Sequence, residues 1–176
     1  MEQLDLFLLR DTSSTPRPAP RPSRRSEPKE WKLVALRDCP LPSEMYLCDS
    51  PQRAADYWRS HIEGQPIYDP ERECLVVLLL NTRRRIRGHH LVTVGTMDTL
   101  LVHPREVFRI AIAANASAVI LLHNHPTGEP HPSEADIRVT RDIMRAGQIL
   151  KIELLDHIIG RPGHVSLKEM GYLYGP

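Results

Sequence analysis

The sequence predicts a mixed α/β domain, and three observations carry that expectation. Apolar runs at Cys74–Leu80 and Val119–Leu122, rich in branched side chains, read as buried strands. Between and around them, apolar residues recur at helical spacing: Ala54, Ala55, Tyr57, Trp58 and Ile62, then Val107, Phe108, Ile110, Ala111 and Ala114. Polar turns at Asn81–Arg85 and Arg161–Gly163 lie between apolar stretches and read as hairpins, which argues against an all-parallel sheet.

The elements follow in order. Trp31–Asp38 reads as a strand that opens the ordered body, and Cys39–Asp49 as a connection. Ser50 followed by Pro51 is a helix start, with Gly64 closing that helix. Glu73 stands at the mouth of the Cys74–Leu80 strand, and Ile86–Val94 is the returning strand of a hairpin. His89 and His90 are adjacent on that strand and face opposite sides, so they cannot share one metal and are expected on the surface or in a groove. His103-Pro104 opens the next helix. A helix after Ser133 is expected to run to about Ala146 and end at Gly147 as a left-handed cap. Ile149–Leu155 reads as a strand, and His157–Gly160 with His164–Leu167 as a closing hairpin.

Composition limits the function classes. The 176 residues suit one domain with a real core, and a net charge of +1 gives no global pull toward nucleic acid or membrane. No apolar run is long enough to span a bilayer, and the acidic N-terminus is unlike a secretory signal. Cys39, Cys48 and Cys74 lack paired zinc spacing and read as reduced thiols of a cytoplasmic protein. Residues 1–29 read as a disordered tail. Met1–Arg10 carries an apolar cluster, either a frayed end or a docking segment, and Asp11–Pro28 alternates prolines with Arg17, Arg21, Arg24 and Arg25. Those arginines, with Arg83, Arg84, Arg85 and Arg87 of the first hairpin turn, are the sequence support for weak nucleic-acid contact; a solvated linker and turn are the plain alternatives.

The chemistry concentrates in Val119–Asp136. His123 and His125 are two apart, so on an extended backbone both imidazoles point to one face. Pro126, Gly128, Pro130 and Pro132 then break regular structure, Ser133 follows, and Asp136 falls in the first turn of a helix. Two imidazoles and a carboxylate converging from rigid elements make a three-ligand zinc site with a position left for water. A lone His-X-His is often only a polar strand end, and Ser133 with Asp136 also fits a capping arrangement, which does not exclude metal binding. The adjacent order His-Asn-His does not fit the nuclease of that name, whose residues lie on separate elements. His131, between two prolines, is expected to face solvent. His157, after Asp156, is either a support for the site or a core or edge histidine.

His123-X-His125-Pro126 with Gly128, Pro130, Pro132, Ser133 and Asp136 resembles the JAMM (MPN-plus) metalloprotease signature, and more narrowly the RadC-like JAB proteins, which usually have serine where Thr127 stands here. The likeness covers roughly Ser50–Leu167, including Gly95-Thr96, His103–Phe108 and Leu155–Ile159; the N-terminal helix-hairpin-helix region of full-length RadC proteins has no visible counterpart. The resemblance implies a curved, mostly antiparallel sheet with helices on both sides (a cytidine-deaminase-like architecture), with residues 30–176 as the domain. It implies Zn2+ on His123, His125 and Asp136. It also implies that Glu73, rather than nearby Glu71, is the general base, and that Ser133 donates to the oxyanion. The expected reaction is hydrolysis of a peptide or isopeptide bond in a peptide or protein substrate. A DNA-repair-associated accessory protein and a non-catalytic partner-binding module are the other classes; the complete ligand set speaks against the latter.

Overall fold

The computed structural model describes Lys32 and residues 34–40, 47–95, 102–160 and 163–173. The expectations for Met1–Arg10 and Asp11–Pro28 lie outside the described residues.

The first helix, α1, spans Pro51–His61. The Ser50 hydroxyl accepts the Arg53 N–H at 3.3 Å, and proline fits the first turn, where its missing N–H has no helical partner. A hairpin follows: β1, Glu73–Leu80, pairs antiparallel with β2, Ile86–Gly95. Helix α2, Pro104–Ala113, leads to β3, Ala118–Asn124. Helix α3, Glu134–Leu150, crosses to β4, Glu153–Gly160, which is parallel to β3, and β5, His164–Ser166, closes the chain antiparallel to β4. The sheet order is β2-β1-β3-β4-β5. The sheet is therefore mixed and mostly antiparallel, as expected.

Both β1 and β3 are buried on both faces, which their unbroken apolar runs require. Alternate residues divide into two layers. Leu75, Val77, Val119 and Leu121 pack with Val107, Phe108, Val139 and Ile143 of α2 and α3. Val76, Leu78, Ile120 and Leu122 pack with Ala54, Tyr57 and Trp58 of α1. Each of the Val, Leu, Ile and Phe side chains among them contributes about 1.5–3 kcal/mol on burial.

Three expectations are corrected. Of Trp31–Asp38, Trp31 and Leu33 lie outside the described residues, and the rest is not strand: Val34 and Leu36 project into solvent, and among the described residues no strand pairs with them. The helix expected to end at Gly147 continues to Leu150, and Lys151 takes the left-handed cap at φ 57°. Gly147 is instead a point of close approach: a Cβ there would lie 2.4 Å from the Ile152 carbonyl oxygen and 3.2 Å from Phe108 Cζ. The segments expected as a strand at Ile149–Leu155 and a separate one from His157 are a single strand from Glu153. Ile149, 81% exposed, belongs to the end of α3.

Strand β4 carries a bulge. Val119 pairs with Leu154 and Ile120 with Asp156, so Leu155 is the extra residue. Leu154 and Ile159 lie in the α2/α3 layer, Leu155 and Ile158 in the α1 layer. The extra residue changes the phase, so His157 pairs beside Leu121 and faces the α2/α3 side.

Two outcomes are expected. Gly147→Ala should destabilise the fold by about 1–3 kcal/mol, seen as a lower denaturation midpoint at unchanged m-value. His89 Nδ1 lies 2.8 Å from the Tyr57 hydroxyl, and burial, aided by the nearby Arg37 charge, pushes its pKa from 6.5 down to about 4. Below pH 6.5 the unfolded chain takes up a proton that the folded chain refuses until about pH 4. This contribution is therefore whole above 6.5 and lost as pH falls toward 4. Melting temperature should fall less steeply across that window in His89→Gln than in wild type.

Candidate metal centre

The site forms where the carboxyl ends of β3 and β4 meet the amino ends of β1 and α3. Leu75 pairs with His123, so period two places Glu73, His123 and His125 on one face of the sheet. Asn124 points the other way and holds the two strands together. Its carbonyl oxygen accepts the Cys74 N–H at 2.9 Å, and its amide donates to the Arg72 carbonyl at 3.0 Å.

Asp136 enters from the first turn of α3. Its Oδ2 accepts the Ser133 N–H at 2.7 Å and the Ser133 hydroxyl at 2.6 Å, while the Ser133 oxygen accepts the Asp136 N–H at 3.2 Å. The capping box is therefore complete, and Asp136 also faces the histidines. Its Oδ1 is 3.2 Å from His123 Nε2, and its Oδ2 is 3.4 Å from His125 Nε2. The two Nε2 atoms are 2.9 Å apart, and Glu73 Oε1 is 3.9 Å from His123 Nε2. One ligand atom from each of Glu73, His123, His125 and Asp136 lies within 4.8 Å of the others. His131 is exposed and outside this group, as expected.

The donor set fits a metal ion. Bonds of about 2.0–2.1 Å in tetrahedral array separate ligand atoms by roughly 3.3 Å, and the separations among the two histidines and the aspartate cluster around that value. His125 Nδ1 donates to the Glu129 carbonyl at 2.7 Å, which leaves the Nε2 lone pair of the neutral ring directed at the cluster.

The electrostatics are those of a half-closed site. Burial pushes Glu73 above the ordinary carboxylate range, against the pull of His123. Burial also acts upward on Asp136, but the close contacts with His123 and His125 and the hydrogen bond from Ser133 outweigh it and hold this carboxylate far below the usual range. The neighbouring Asp136 carboxylate raises His125 despite partial burial. His157 is fully enclosed, and burial drives it well below its ordinary value. Its Nε2 lies 2.9 Å from His123 Nδ1 and its Nδ1 2.7 Å from the Thr140 hydroxyl. Of the two readings open for His157, the structure places it against the site.

Two participants escaped the sequence reading. Asn124 sat inside the His-X-His string as a spacer, and only its even phase, opposite to the histidines, hints at a separate task. Thr140 lies four residues after Asp136 and so on the same helix face, a signal indistinguishable from an ordinary core threonine.

A mixed sheet with a His/Asp/Glu cluster at its strand ends is the build of a JAB-type domain with a possible metal-binding group. Residues 48–172 match the RadC-like JAB domain, and the chain belongs to that family. Among curated relatives it is 42% identical to a UPF0758 protein of Thermosynechococcus vestitus over 76% of this chain and 52% of that one. It is 49% identical to a UPF0758 protein of Thermotoga maritima over 58% of this chain and 47% of that one. The chain thus spans about half the length of the curated relatives it matches. Among the described residues no helix is long and apolar enough to cross a membrane, and Cys39, Cys48 and Cys74 are free thiols.

Asn124→Ala would strip the buried Cys74 N–H of its acceptor. A loss of about 1–3 kcal/mol in denaturant unfolding is expected.

Proposed function

We propose that this chain is a zinc-dependent hydrolase of a peptide or isopeptide bond, with His123, His125 and Asp136 as the metal ligands and Glu73 as general base. The observation that supports this best is the convergence of two imidazole nitrogens and the Oδ1 edge of Asp136, with Glu73 beside them at 3.9 Å from His123 Nε2. Bound zinc supplies Lewis acidity, polarising a substrate carbonyl and lowering the pKa of water to about 7.

The chain's own residues divide the remaining work. Glu73, its proton affinity raised by burial, takes a proton from the attacking water on its carboxylate and delivers it to the leaving amine. Ser133 is exposed, and its hydroxyl is the proposed donor to the substrate oxygen that gains charge. In that act the hydroxyl turns away from Asp136 Oδ2, which keeps the Ser133 N–H at 2.7 Å and so stays oriented. The reaction class fits the RadC-like JAB family to which residues 48–172 belong.

The competing reading, a nucleic-acid-associated accessory protein, rests on the arginines of the Asp11–Pro28 tail, which lies outside the described residues, and on the Arg83–Arg87 turn. The four arginines of that turn are exposed and lie where β1 joins β2, at the opposite end of β1 from Glu73, so the two readings are separable by substitution.

Wild type should carry about one zinc per chain by mass spectrometry after zinc loading, by the open three-ligand design. His123→Ala and Asp136→Ala should lose the metal and the hydrolysis together. Glu73→Gln should keep the metal and lose hydrolysis of a peptide panel by about 100-fold or more. A metal-free wild type after zinc loading would overturn the proposal, and loss of zinc from Glu73→Gln would make Glu73 a ligand instead of the base.

A further inference from the structure

We propose that His157 and Thr140 are positioning residues for the metal centre: they hold His123 as its Nδ1–H tautomer, so that its Nε2 lone pair is permanently presented to the cluster. The inference rests on the metal-site reading above and adds residues that the ligand motif does not contain.

The argument is one of donor direction. A backbone carbonyl can only accept, so the Thr140 hydroxyl, 2.6 Å from the Asp136 carbonyl oxygen, must donate to it. The Thr140 oxygen then has only lone pairs left, and its second partner, His157 Nδ1 at 2.7 Å, must be the N–H. In the neutral ring the other nitrogen is then bare, so His157 Nε2 accepts, and His123 Nδ1 at 2.9 Å must carry the hydrogen. His123 Nε2 is left as a lone pair. With both rings neutral, as their burial favours, no other polarity satisfies every atom of this chain.

The chain also closes on itself. It starts at the main chain of Asp136 and ends at His123, whose Nε2 lies 3.2 Å from Asp136 Oδ1. Two ligands on different elements, β3 and α3, are thereby braced through a third, β4. The bulge at Leu155 is what supplies the brace, because without the extra residue His157 would face α1. The backbone there is tied down by Asp156. Its carboxylate accepts the His157 N–H at 2.7 Å, the Lys168 N–H at 3.1 Å and the Ser166 hydroxyl at 2.6 Å. His123, Asp136, Thr140 and His157 are all buried, so neither ring can exchange its partner for water.

The test is zinc affinity by competition with a chromogenic chelator at fixed pH, with melting of the metal-free proteins in parallel. Thr140→Val keeps the shape and removes the hydroxyl; Thr140→Ser restores it. His157→Leu breaks the chain, whereas His157→Gln can accept at its oxygen and donate at its nitrogen. Thr140→Val and His157→Leu should bind zinc about 10–100-fold more weakly, and Thr140→Ser and His157→Gln should return close to wild type. Nitrogen-15 spectra of the zinc-loaded wild type should show His123 and His157 both protonated at Nδ1. This readout needs no variant and stands even where His157→Leu fails to fold.

Wild-type affinity in Thr140→Val, or a proton on His157 Nε2, would overturn the positioning role while leaving the three-ligand site intact. A wild type that takes up no zinc would instead overturn the metal reading, and this inference with it.

Discussion

The antiparallel register of β1 on β3, with Leu75 opposite His123, is the constraint on which the site depends. A slip of one residue would send Glu73 to the α1 face and leave the histidines without it. Apolar patterning does not forbid that slip. Both strands are buried throughout, and either set of alternate residues from Cys74 to Leu80 is apolar enough for either layer. The discrimination comes from the strand ends. Asn124, fully buried, finds the Cys74 N–H and the Arg72 carbonyl in this register. In another register a buried amide would lose both partners, at a cost of about 1–3 kcal/mol for each group left unpaired.

The same accounting explains why α3 starts where it does. Ser133, Asp136 and Thr140 lie along the stripe that continues into Ile143 and Gly147, so the helix face buried in the apolar layer is polar in its first two turns. A polar cluster inside such a layer survives only if every member is satisfied. Asp136 meets this demand with three atoms: Oδ2 serves the helix cap and stands 3.4 Å from His125 Nε2, Oδ1 faces His123, and the main-chain carbonyl receives Thr140. Capping and a place in the His/Glu cluster, which the sequence presents as rival readings of Ser133 and Asp136, are compatible in one carboxylate.

The parts of the structure legible in the sequence were those that repeat with a fixed period or carry a cap. Period two foretold that His123 and His125 share a face, and Ser50-Pro51 foretold the start of α1. What stayed hidden breaks a period or depends on a distant partner. The Leu155 bulge has no local mark, and a phase count through Asp156 puts His157 on the wrong side of the sheet. Gly147 illustrates a different failure. A glycine late in a helix signals both a left-handed cap and a tight crossing, and only the position of Ile152 and Phe108 tells which applies. Glu73 lay between: the sequence placed it at the strand mouth, but its distance from His123 is a property of the β1–β3 pairing.

The cluster admits one simpler account, a buried ion pair between Asp136 and protonated histidines, and the distances weigh against it. Charge-assisted N–H···O bonds run to about 2.7–2.9 Å. The Asp136 carboxylate attains that range with Ser133, at 2.7 Å from the backbone nitrogen, yet stands 3.2 and 3.4 Å from the two imidazole nitrogens. One carboxylate thus makes short bonds on its capping side and long contacts on its histidine side. Helix packing alone would not hold a strong ion pair open, because a small rotation about the carboxylate would close it. The spacing suits ligand atoms that could share a cation, and the Glu129 and His157 contacts, which occupy the Nδ1 atoms of His125 and His123, leave the Nε2 atoms facing the cluster.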